Sequence, residues 1–268
     1  MKVFYSMKEA LEYSSEHSFL LVYRHVFFPV YINYKGKENW LVFTPGACSR
    51  NKPMPIFQRS SYSEHVDANV ISLFDPGLLL NKNLTNTWFS GTPARYFGDY
   101  ISDLLKSFFK SVDIEGENVF LFGTSAGGLP AFKIAQKLKG ATVWCGNIQT
   151  KAYKHSAFKK MLPVLYPNKI ESEVVKEFSN RFDISKMDGD FKVYYFQNRS
   201  DEFHYKNHYK PFMDWYFSSN AKMKVVFSEY YDVESGHGSI GRLKEYEIID
   251  KMLRKDFLYF NWIDCTHE

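Results

Sequence analysis

The most constraining feature of this 268-residue sequence is a serine between two glycines, at the junction of a strand-like and a helix-like segment. An apolar run over residues 119–122 predicts a strand, and residues 129–138 have the pattern of a helix. Between them, residues 123–127 read Gly-Thr-Ser-Ala-Gly. So tight a turn leaves no room for side chains two positions before and after the serine, which explains both glycines. The pattern therefore predicts that Ser125 stands exposed at the carboxyl end of a strand.

A glycine-rich phosphate loop also joins a strand to a helix and is the main alternative. However, no Gly-Lys-Ser/Thr sequence is present, and the glycine spacing is not G-x-G-x-x-G. In the preferred interpretation, the backbone N–H of Ala126 lies at the start of the helix. There it would face negative charge forming on an attacked carbonyl. The motif thus predicts a nucleophilic serine, provided that an acid and a histidine follow in that order.

An acid and a histidine do follow, each after a late predicted strand. A strand over 191–197 precedes Asp201, and a strand over 222–228 precedes His237, which has glycines on both sides. A serine hydroxyl needs a base within hydrogen-bond reach and a third group that fixes the tautomer of that base. Because parallel strands end at the same edge of a sheet, we expect Ser125, Asp201 and His237 to meet there.

Other residues compete for the roles of base and acid. His204 and His208 closely follow the proposed acid and would lie at the rim of the site. His237 is preferred because its flanking glycines allow a loop to bring it close. The choice of acid stays open, with Asp201 preferred. The competing carboxylates are those of Glu202, Asp232 and Asp75.

Strand-like and helix-like segments alternate along the chain, which predicts one α/β domain with a mostly parallel sheet flanked by helices. An antiparallel pair of strands within 19–34 is expected at a sheet edge, where Pro29 is tolerated. The later predicted strands are 40–44, 69–74, 119–122, 141–145, 191–197 and 222–228, and the predicted helices are 96–112, 129–138, a segment ending near 217, and 242–257. The amphipathic residues 151–186 are expected to form a small helical cap between the sixth and seventh strands.

Composition excludes several classes of protein. A hydrophobic content of 45% and an aromatic content of 18% exclude a disordered chain, and a net charge of +4 is far below that of a dedicated nucleic-acid binder. Cys48, Cys145 and Cys265 include no C-x-x-C pair, so free thiols are expected, with neither disulfides nor a metal site. The amino terminus lacks the apolar core of a signal peptide, and no apolar run could span a bilayer. These features predict a cytoplasmic protein.

From Phe19 onward, the serine motif and the order serine, acid, histidine resemble the α/β-hydrolase superfamily. Short motifs resemble, more narrowly, a bacterial group linked to surface polysaccharides that includes capsule O-acetyltransferases. Those motifs are Pro45-Gly46-Ala47, Pro55-x-Phe57-x-Arg59, Asp75-Pro76, Trp88-Phe89-x-Gly91, residues 123–128, and Asn147-Ile148-Gln149-Thr150. The resemblance implies that Ser125, Asp201 and His237 act as a catalytic triad.

Two further segments are candidate parts of the site. In a serine hydrolase sheet, the loop after the strand over 40–44 supplies a second N–H to the oxyanion. Gly46 and Ala47 are therefore candidates beside Ala126, although an ordinary strand-ending turn fits the segment equally well. Trp88 and Phe89 could offer ring faces to a sugar, or could pack in the core as aromatic residues more often do.

Three functions are compatible with these residues. The narrower resemblance implies serine-dependent O-acetylation of a capsule polysaccharide, with acetyl-CoA as acyl donor and no permanently bound cofactor. An esterase or deacetylase would use the same residues, with water in place of the carbohydrate acceptor. The third alternative is a catalytically inactive partner with the same fold, bound peripherally to a glycan-assembly complex. A complete set of nucleophile, base and acid argues against this third function.

Overall fold

The computed structural model describes residues 1–13 and 16–256. Within that part of the chain, nine strands form one sheet in the order β1-β2-β3-β5-β4-β6-β7-β8-β9. The six strands from β5 to β9 in this order run parallel, whereas β3 is antiparallel to both β2 and β5. The strands are β1 Val3–Phe4, β2 Ser18–Tyr23, β3 Val26–Asn33, β4 Trp40–Thr44, β5 Asn69–Leu73, β6 Val119–Thr124, β7 Thr142–Gly146, β8 Lys192–Asn198 and β9 Lys224–Tyr230.

Helices cover the sheet and connect its parallel strands, except that β4 is joined to β5 by a segment with one 3-10 turn. They are α1 Met7–Tyr13, α2 Phe97–Ser111, α3 Gly128–Ala135, α4 Ser156–Leu165, α5 Glu171–Glu177, α6 Ser179–Phe182, α7 Glu202–His204, α8 Lys210–Ser218 and α9 Arg242–Leu253. Single 3-10 turns occupy Ser60–Glu64, Pro76–Leu79, Gly116–Asn118, Ser125–Gly127, Ala152–Lys154 and Ile184–Lys186, and Tyr205–Tyr209 forms one π-helical turn. The mostly parallel sheet with flanking helices is confirmed. The expected end of the last helix, at Phe257, lies outside the described residues.

The antiparallel end of the sheet differs from the prediction in one respect. The two strands within 19–34 do pair with each other, but neither is the edge strand, because the two-residue β1 pairs in parallel with β2. Pro29 is tolerated inside the sheet for a local reason. The residues of β3 that pair with β5 begin at Val30, so Pro29 lies just outside that pairing.

Both faces of the sheet are covered, which fits the near-continuous apolar sequence of its central strands. Alternate residues of each strand point to opposite faces: in β4, Val42 packs with the larger cluster under α1 to α4, and Phe43 packs on the other face under α9. On that second face the rings of Phe43, Phe122, Trp144 and Phe196 follow one another, with neighbouring centroids 5.7, 4.2 and 5.5 Å apart. This buried aromatic row makes the central strands a rigid base for the loops at their ends.

Residues 152–186 lie between β7 and β8 and form short helices, in the place where helical structure is expected. The segment is fixed to the loop before α2 by the buried Arg181, whose guanidinium donates to the backbone oxygens of Ser90, Thr92 and Pro93. Because these hydrogen bonds use a charged donor, they hold the two segments together firmly. That the helices close over a substrate stays a prediction.

Two remaining expectations concern cysteines and membranes. Cys48 and Cys145 are buried free thiols, and Cys265 lies outside the described residues. Burial raises the pKa of both described thiols, which keeps them protonated. In residues 1–13 and 16–256, none of the helices has the length and apolarity needed to cross a bilayer.

Candidate active site

Ser125 lies at the turn that joins β6 to α3. Its φ of 53° is a left-handed conformation that non-glycine residues rarely adopt, and such strain is typical of a serine presented at a sharp strand-to-helix turn. A Cβ on Gly123 would lie 2.5 Å from the Gly127 oxygen, and a Cβ on Gly127 would lie 2.7 Å from the Thr44 oxygen. Only glycine fits at these two positions, as the sequence motif predicts.

The three side chains predicted to act together form one hydrogen-bonded series. Nε2 of His237 accepts from the Ser125 hydroxyl at 2.9 Å, and Nδ1–H of His237 donates to Oδ2 of Asp201 at 2.6 Å. Asp201 follows β8, and His237 lies in the loop after β9. The carboxyl ends of three parallel strands therefore bring together residues that are far apart in sequence.

Each carboxylate that competes with Asp201 is used elsewhere. Glu202 is exposed and pairs with Lys206. Asp232 accepts hydrogen bonds from backbone N–H groups of its own loop. Asp75 is buried and accepts from the Thr87 hydroxyl and from two backbone N–H groups. The preferred acid is thus the one that contacts the histidine.

Two asparagine side chains hold the loop that contains His237. Asn198, at the end of β8, donates from Nδ2 to the oxygens of Asp232 and Gly236 at 2.6 and 2.8 Å. Asn147, at the end of β7, donates to the oxygen of Gly238 at 3.2 Å and accepts from the Asn198 N–H at 2.7 Å. The position of the base therefore depends on side chains from two neighbouring strands.

Solved structures match this arrangement of strands and helices over most of the chain. The capsule O-acetyltransferase of Neisseria meningitidis serogroup A has a TM-score of 0.62 at 10% identity, with 87% of this chain and 96% of that chain covered. Acetyl xylan esterase 1 from a Thermoanaerobacterium species has a TM-score of 0.56 at 12% identity, with 90% and 85% covered. This chain has the α/β-hydrolase fold.

Two further solved structures also share this fold. A histidine-to-alanine variant of the meningococcal enzyme in complex with CoA has a TM-score of 0.57 at 10% identity, with 87% of this chain and 94% of that chain covered. A chain of the glycosylation associate protein complex from Streptococcus agalactiae has a TM-score of 0.58 at 11% identity, with 92% and 47% covered. No protein-family model matches the sequence, and a search of the curated proteins gives no match. At such identities the likeness shows the fold alone.

The candidate oxyanion donors of the site differ in availability. The N–H of Ala126 belongs to the first turn after β6, where no earlier residue of the helix can accept it. The N–H of Gly46 donates to Oε1 of Gln58 at 3.0 Å, so Gly46 is withdrawn as a candidate. Ala47 is exposed, and its N–H has no acceptor in the part of the chain that the structure describes. Ala126 and Ala47 therefore remain as the candidate pair.

Trp88 and Phe89 are buried, with 3% and 0% of their surface exposed, so neither offers a ring face to a sugar. This corrects their candidate role as sugar platforms: both belong to the core. Trp88 nevertheless affects the site, because its indole N–H donates to Oε1 of Gln149 at 2.8 Å. That bond points Nε2 of Gln149 toward Ser125 Oγ, 3.4 Å away. Gln149 was noted only within a short motif, and its place beside the serine was not predicted.

His204 lies deeper in the site than the sequence predicts. It was expected at the rim, but it is 4% exposed and its ring stacks on that of His237, with centroids 3.9 Å apart and an interplanar angle of 14°. Its Nδ1–H donates to Asp201 at 3.0 Å. Burial alone would raise the pKa of Asp201, but the hydrogen bonds from His204 and His237 outweigh burial and lower it well below its usual range. Asp201 is therefore ionised at neutral pH.

Two more histidines lie behind His204. The His208 ring is 5.1 Å from that of His204, and burial together with the neighbouring histidines lowers the pKa of His208 to about 3. His155, in the segment before α4, lies 6.4 Å from His204, and burial lowers its pKa as well. Asp201, His204 and His237 offer ligand atoms within 4.8 Å of one another, so they are the described residues that could hold a metal ion. The hydrogen bonds of Asp201 account for this spacing by themselves.

An ion pair between the partly buried Arg59 and the buried Glu245 supports the site from the side of α9. The guanidinium of Arg59 donates to both carboxylate oxygens of Glu245, at 2.9 and 2.8 Å, and also to the hydroxyl of Thr124 at 3.3 Å. Glu245 accepts in addition from the hydroxyls of Tyr62 and Ser239, each at 2.7 Å. Since Thr124 precedes the serine and Ser239 follows the histidine, one network contacts both segments of the site.

Proposed function

We propose that this protein is a serine-dependent acyltransferase that moves an acetyl group from acetyl-CoA to a carbohydrate hydroxyl through an acyl-enzyme on Ser125. The observation that carries the proposal is the hydrogen-bonded series of Ser125, His237 and Asp201 at the carboxyl edge of an α/β-hydrolase sheet. A serine hydroxyl is a weak nucleophile until a base removes its proton, and this series supplies such a base in a fixed tautomer.

In the first half-reaction, Ser125 Oγ attacks the thioester carbonyl carbon while His237 Nε2 takes the hydroxyl proton. The carbonyl oxygen gains negative charge, which the N–H groups of Ala126 and Ala47 would stabilise. The C–S bond then breaks, the CoA sulfur takes the proton from His237, and acetyl-Ser125 remains. Throughout, Asp201 accepts from Nδ1–H of His237 and stabilises the positive charge on its ring.

In the second half-reaction, a carbohydrate hydroxyl gives its proton to His237 and attacks the acetyl carbon. The bond to Ser125 Oγ breaks, and Oγ recovers the proton from His237. Transfer outruns hydrolysis when the acceptor hydroxyl is held at near-attack distance, because bound alcohol then outcompetes abundant water. The choice between the two reactions thus depends on acceptor binding and not on the three catalytic groups.

Two observations support transfer from a phosphate-bearing donor. A protein with the same fold at comparable length is a capsule O-acetyltransferase, and a variant of it was solved in complex with CoA. In this chain, the segment next to the site has exposed lysines, and no acidic partner is found for them among the described residues. They are Lys154, Lys159 and Lys160. Because acetyl-CoA is made in the cytoplasm, the proposal places the reaction there, with at most peripheral association with a capsule-assembly complex.

Hydrolysis is the second candidate, and one observation favours it. The side chain of His237 is 41% exposed, so water can reach the base in this structure. An acetyl xylan esterase shares the fold at a similar length, which fits a deacetylase acting on an acylated glycan. A catalytically inactive partner in glycan assembly is disfavoured, because such a protein has no physical need for a complete series of nucleophile, base and acid.

A partition measurement tests the proposal. The purified protein is incubated with acetyl-CoA and capsule oligosaccharides, and acetylated sugar is compared with free acetate by mass spectrometry. We expect acetylated sugar to exceed acetate with at least one acceptor, and Ser125→Ala to lower turnover by several orders of magnitude without unfolding the protein. Acetate as the dominant product with every acceptor, together with rapid cleavage of simple acetyl esters, would instead make the protein an esterase.

A further inference from the structure

Asp201 is shared by two histidines, and the proposed reaction uses only one of them. We propose that His204 is a positioning residue: it holds the Asp201 carboxylate in place and, by donating a second hydrogen bond to it, limits how strongly Asp201 retains a proton on His237. The inference rests on the proposed function of the site, because it assigns His237 the role of base.

The contacts of His204 reach both partners. Its Nδ1 lies 3.0 Å from Oδ1 and 2.9 Å from Oδ2 of Asp201, and its backbone N–H donates to Oδ1 at 3.3 Å. Its ring lies nearly parallel to the ring of His237. Asp201 and His204 are 7% and 4% exposed, so solvent weakens these interactions little. One side chain therefore fixes the position of the acid and the plane of the base.

The tautomer and charge of His204 follow from its surroundings. A ring nitrogen beside an ionised carboxylate carries the proton, so Nδ1 is the donor; Nε2 is buried and has no partner among the described residues. Burial lowers the pKa of His204, the hydrogen bond to Asp201 raises it, and the charge on His237 lowers it again, with a net lowering. His204 is thus neutral at pH 7.

Other ionisable groups also face this cluster. His208 and His155 face His204 from the π-helical turn and from the segment before α4, and both have lowered pKa values. Lys160 faces His155 from α4 and further disfavours a proton there. Because burial disfavours a proton on His155, His204 and His208, the positive charge that forms during acyl transfer stays on His237.

A hydrogen bond donated to a carboxylate stabilises its ionised form and uses part of its negative charge. Asp201 therefore attracts the Nδ1 proton of His237 less strongly than an acid with a single partner would. The Nε2 lone pair of His237 faces the Ser125 hydroxyl and can take the serine proton. The stacked ring of His204 adds a π face beside the imidazolium that forms, which is favourable but weak.

Two variants separate the effect of the His204 N–H donor from the effect of its stacked ring. His204→Phe keeps a flat ring and removes the N–H, whereas His204→Asn keeps an N–H donor near the position of Nδ1 and removes the ring. We measure the pH dependence of kcat/KM for acetyl-ester cleavage, with p-nitrophenyl acetate as the probe. For His204→Phe we expect the acidic limb of this pH profile to move to higher pH by about 0.5 to 1 pH unit. We expect the plateau value of kcat/KM to fall by about tenfold. For His204→Asn we expect the limb to stay at the wild-type position.

Titration of the labelled His237 imidazole by NMR gives the same comparison without any substrate. Its midpoint is expected to rise in His204→Phe and to stay near wild type in His204→Asn. His204→Leu also removes the donor and has a smaller side chain. We expect it to raise the midpoint of His237 as His204→Phe does, and it replaces His204→Phe if that variant does not fold. Unchanged midpoints in the variants that lack the donor would overturn the proposal. A wild-type pH profile that changes in EDTA would also overturn it, since the cluster of Asp201, His204 and His237 would then hold a metal ion.

The two proposals fail in distinguishable ways. If wild-type protein cleaves no acetyl ester and forms no acyl-enzyme, the proposed function is wrong, while the NMR titration still decides the role of His204. Suppose instead that wild-type turnover is normal, that kcat/KM in the His204 variants falls only as far as their melting temperatures fall, and that the acidic limb of the pH profile does not move. The proposed function then stands, and the positioning role of His204 is wrong.

Discussion

The serine and the histidine of the candidate site are held in place by different means. The turn around Ser125 is fixed by backbone packing, because a Cβ on Gly123 or Gly127 would collide with neighbouring main chain. The loop around His237 is largely exposed and is held by side-chain hydrogen bonds from Asn147 and Asn198. The nucleophile is therefore held by main-chain packing of its own turn and of β4, whereas the base is held by side chains that follow two neighbouring strands.

A pair of glycine substitutions tests the difference most strongly. Gly123→Ala would place a Cβ 2.5 Å from the Gly127 oxygen and 2.6 Å from Thr44 Oγ1, so we expect the free energy of unfolding to fall by about 3 kcal/mol or more. Gly236→Ala, in the histidine loop, meets nothing within 4 Å and has only the cost of a positive φ, about 1 kcal/mol. Urea unfolding measures both. Equal losses would contradict the distinction between the turn and the loop.

Glu245 contacts Ser239 of the histidine segment directly and Thr124 of the serine segment through Arg59, so its replacement is expected to weaken both segments. Glu245→Gln would leave the partly buried guanidinium of Arg59 without its ionic partner, at a cost of about 2–3 kcal/mol at pH 7. Glu247→Gln is the matched control, because Glu247 is exposed and its pair with Lys251 contributes at most about 0.5 kcal/mol. A loss at position 245 no larger than at position 247 would show that the ion pair does not support the site.

The same variant has a predicted pH dependence. Burial raises the pKa of Glu245, but the hydrogen bonds and charge of Arg59 outweigh burial and lower it. The pKa of Glu245 is thus lower in the folded protein than in the unfolded chain, where it is about 4.3. The ionised Glu245 therefore stabilises the fold fully above about pH 4.3, and this stabilisation is lost as the pH falls through the pKa of the folded state. The difference in free energy of unfolding between wild type and Glu245→Gln should therefore become smaller below about pH 4. A gap that stays constant down to pH 3 would contradict this.

The sequence revealed those parts of the site that depend on local pattern. The glycine spacing within 119–128 predicts the serine turn, and strand ends that meet at one sheet edge bring Asp201 and His237 to it. His204 and Gln149 could not be assigned in the same way, because their roles arise from a ring stack and from an amide held by a buried indole. The two-residue β1 is too short to produce a periodic pattern, which is why the sheet edge was misplaced.

Asn198 tests the loop alone. Asn198→Ala removes its hydrogen bonds to the Asp232 and Gly236 oxygens, so we expect a loss of about 2 kcal/mol in stability and of about tenfold in kcat/KM. Asn207→Ala is the control, since the one acceptor of the Asn207 amide among the described residues is the carbonyl of Phe203, one turn earlier. Wild-type turnover in Asn198→Ala would show that the position of His237 does not depend on this asparagine.

The smallest expected effect concerns the indole beside the serine turn. Trp88→Phe removes the N–H that orients Gln149 and keeps a buried ring, so we expect kcat/KM to fall by about fivefold. Trp144→Phe is the matched control, because the Trp144 N–H has no acceptor in the described part of the chain. An equal fall of kcat/KM in the two variants would show that the bond between Trp88 and Gln149 does not contribute to the reaction.

The central claim is that Ser125 forms a covalent acyl intermediate, and rapid-quench peptide mapping tests it most directly. Wild-type protein is mixed with acetyl-CoA, or separately with p-nitrophenyl acetate, quenched in acid, digested and analysed by mass spectrometry. We predict one added acetyl group on the peptide that contains Ser125, and no labelled peptide in folded Ser125→Ala. Acetylation of a different residue, or turnover that persists in folded Ser125→Ala, would contradict the claim.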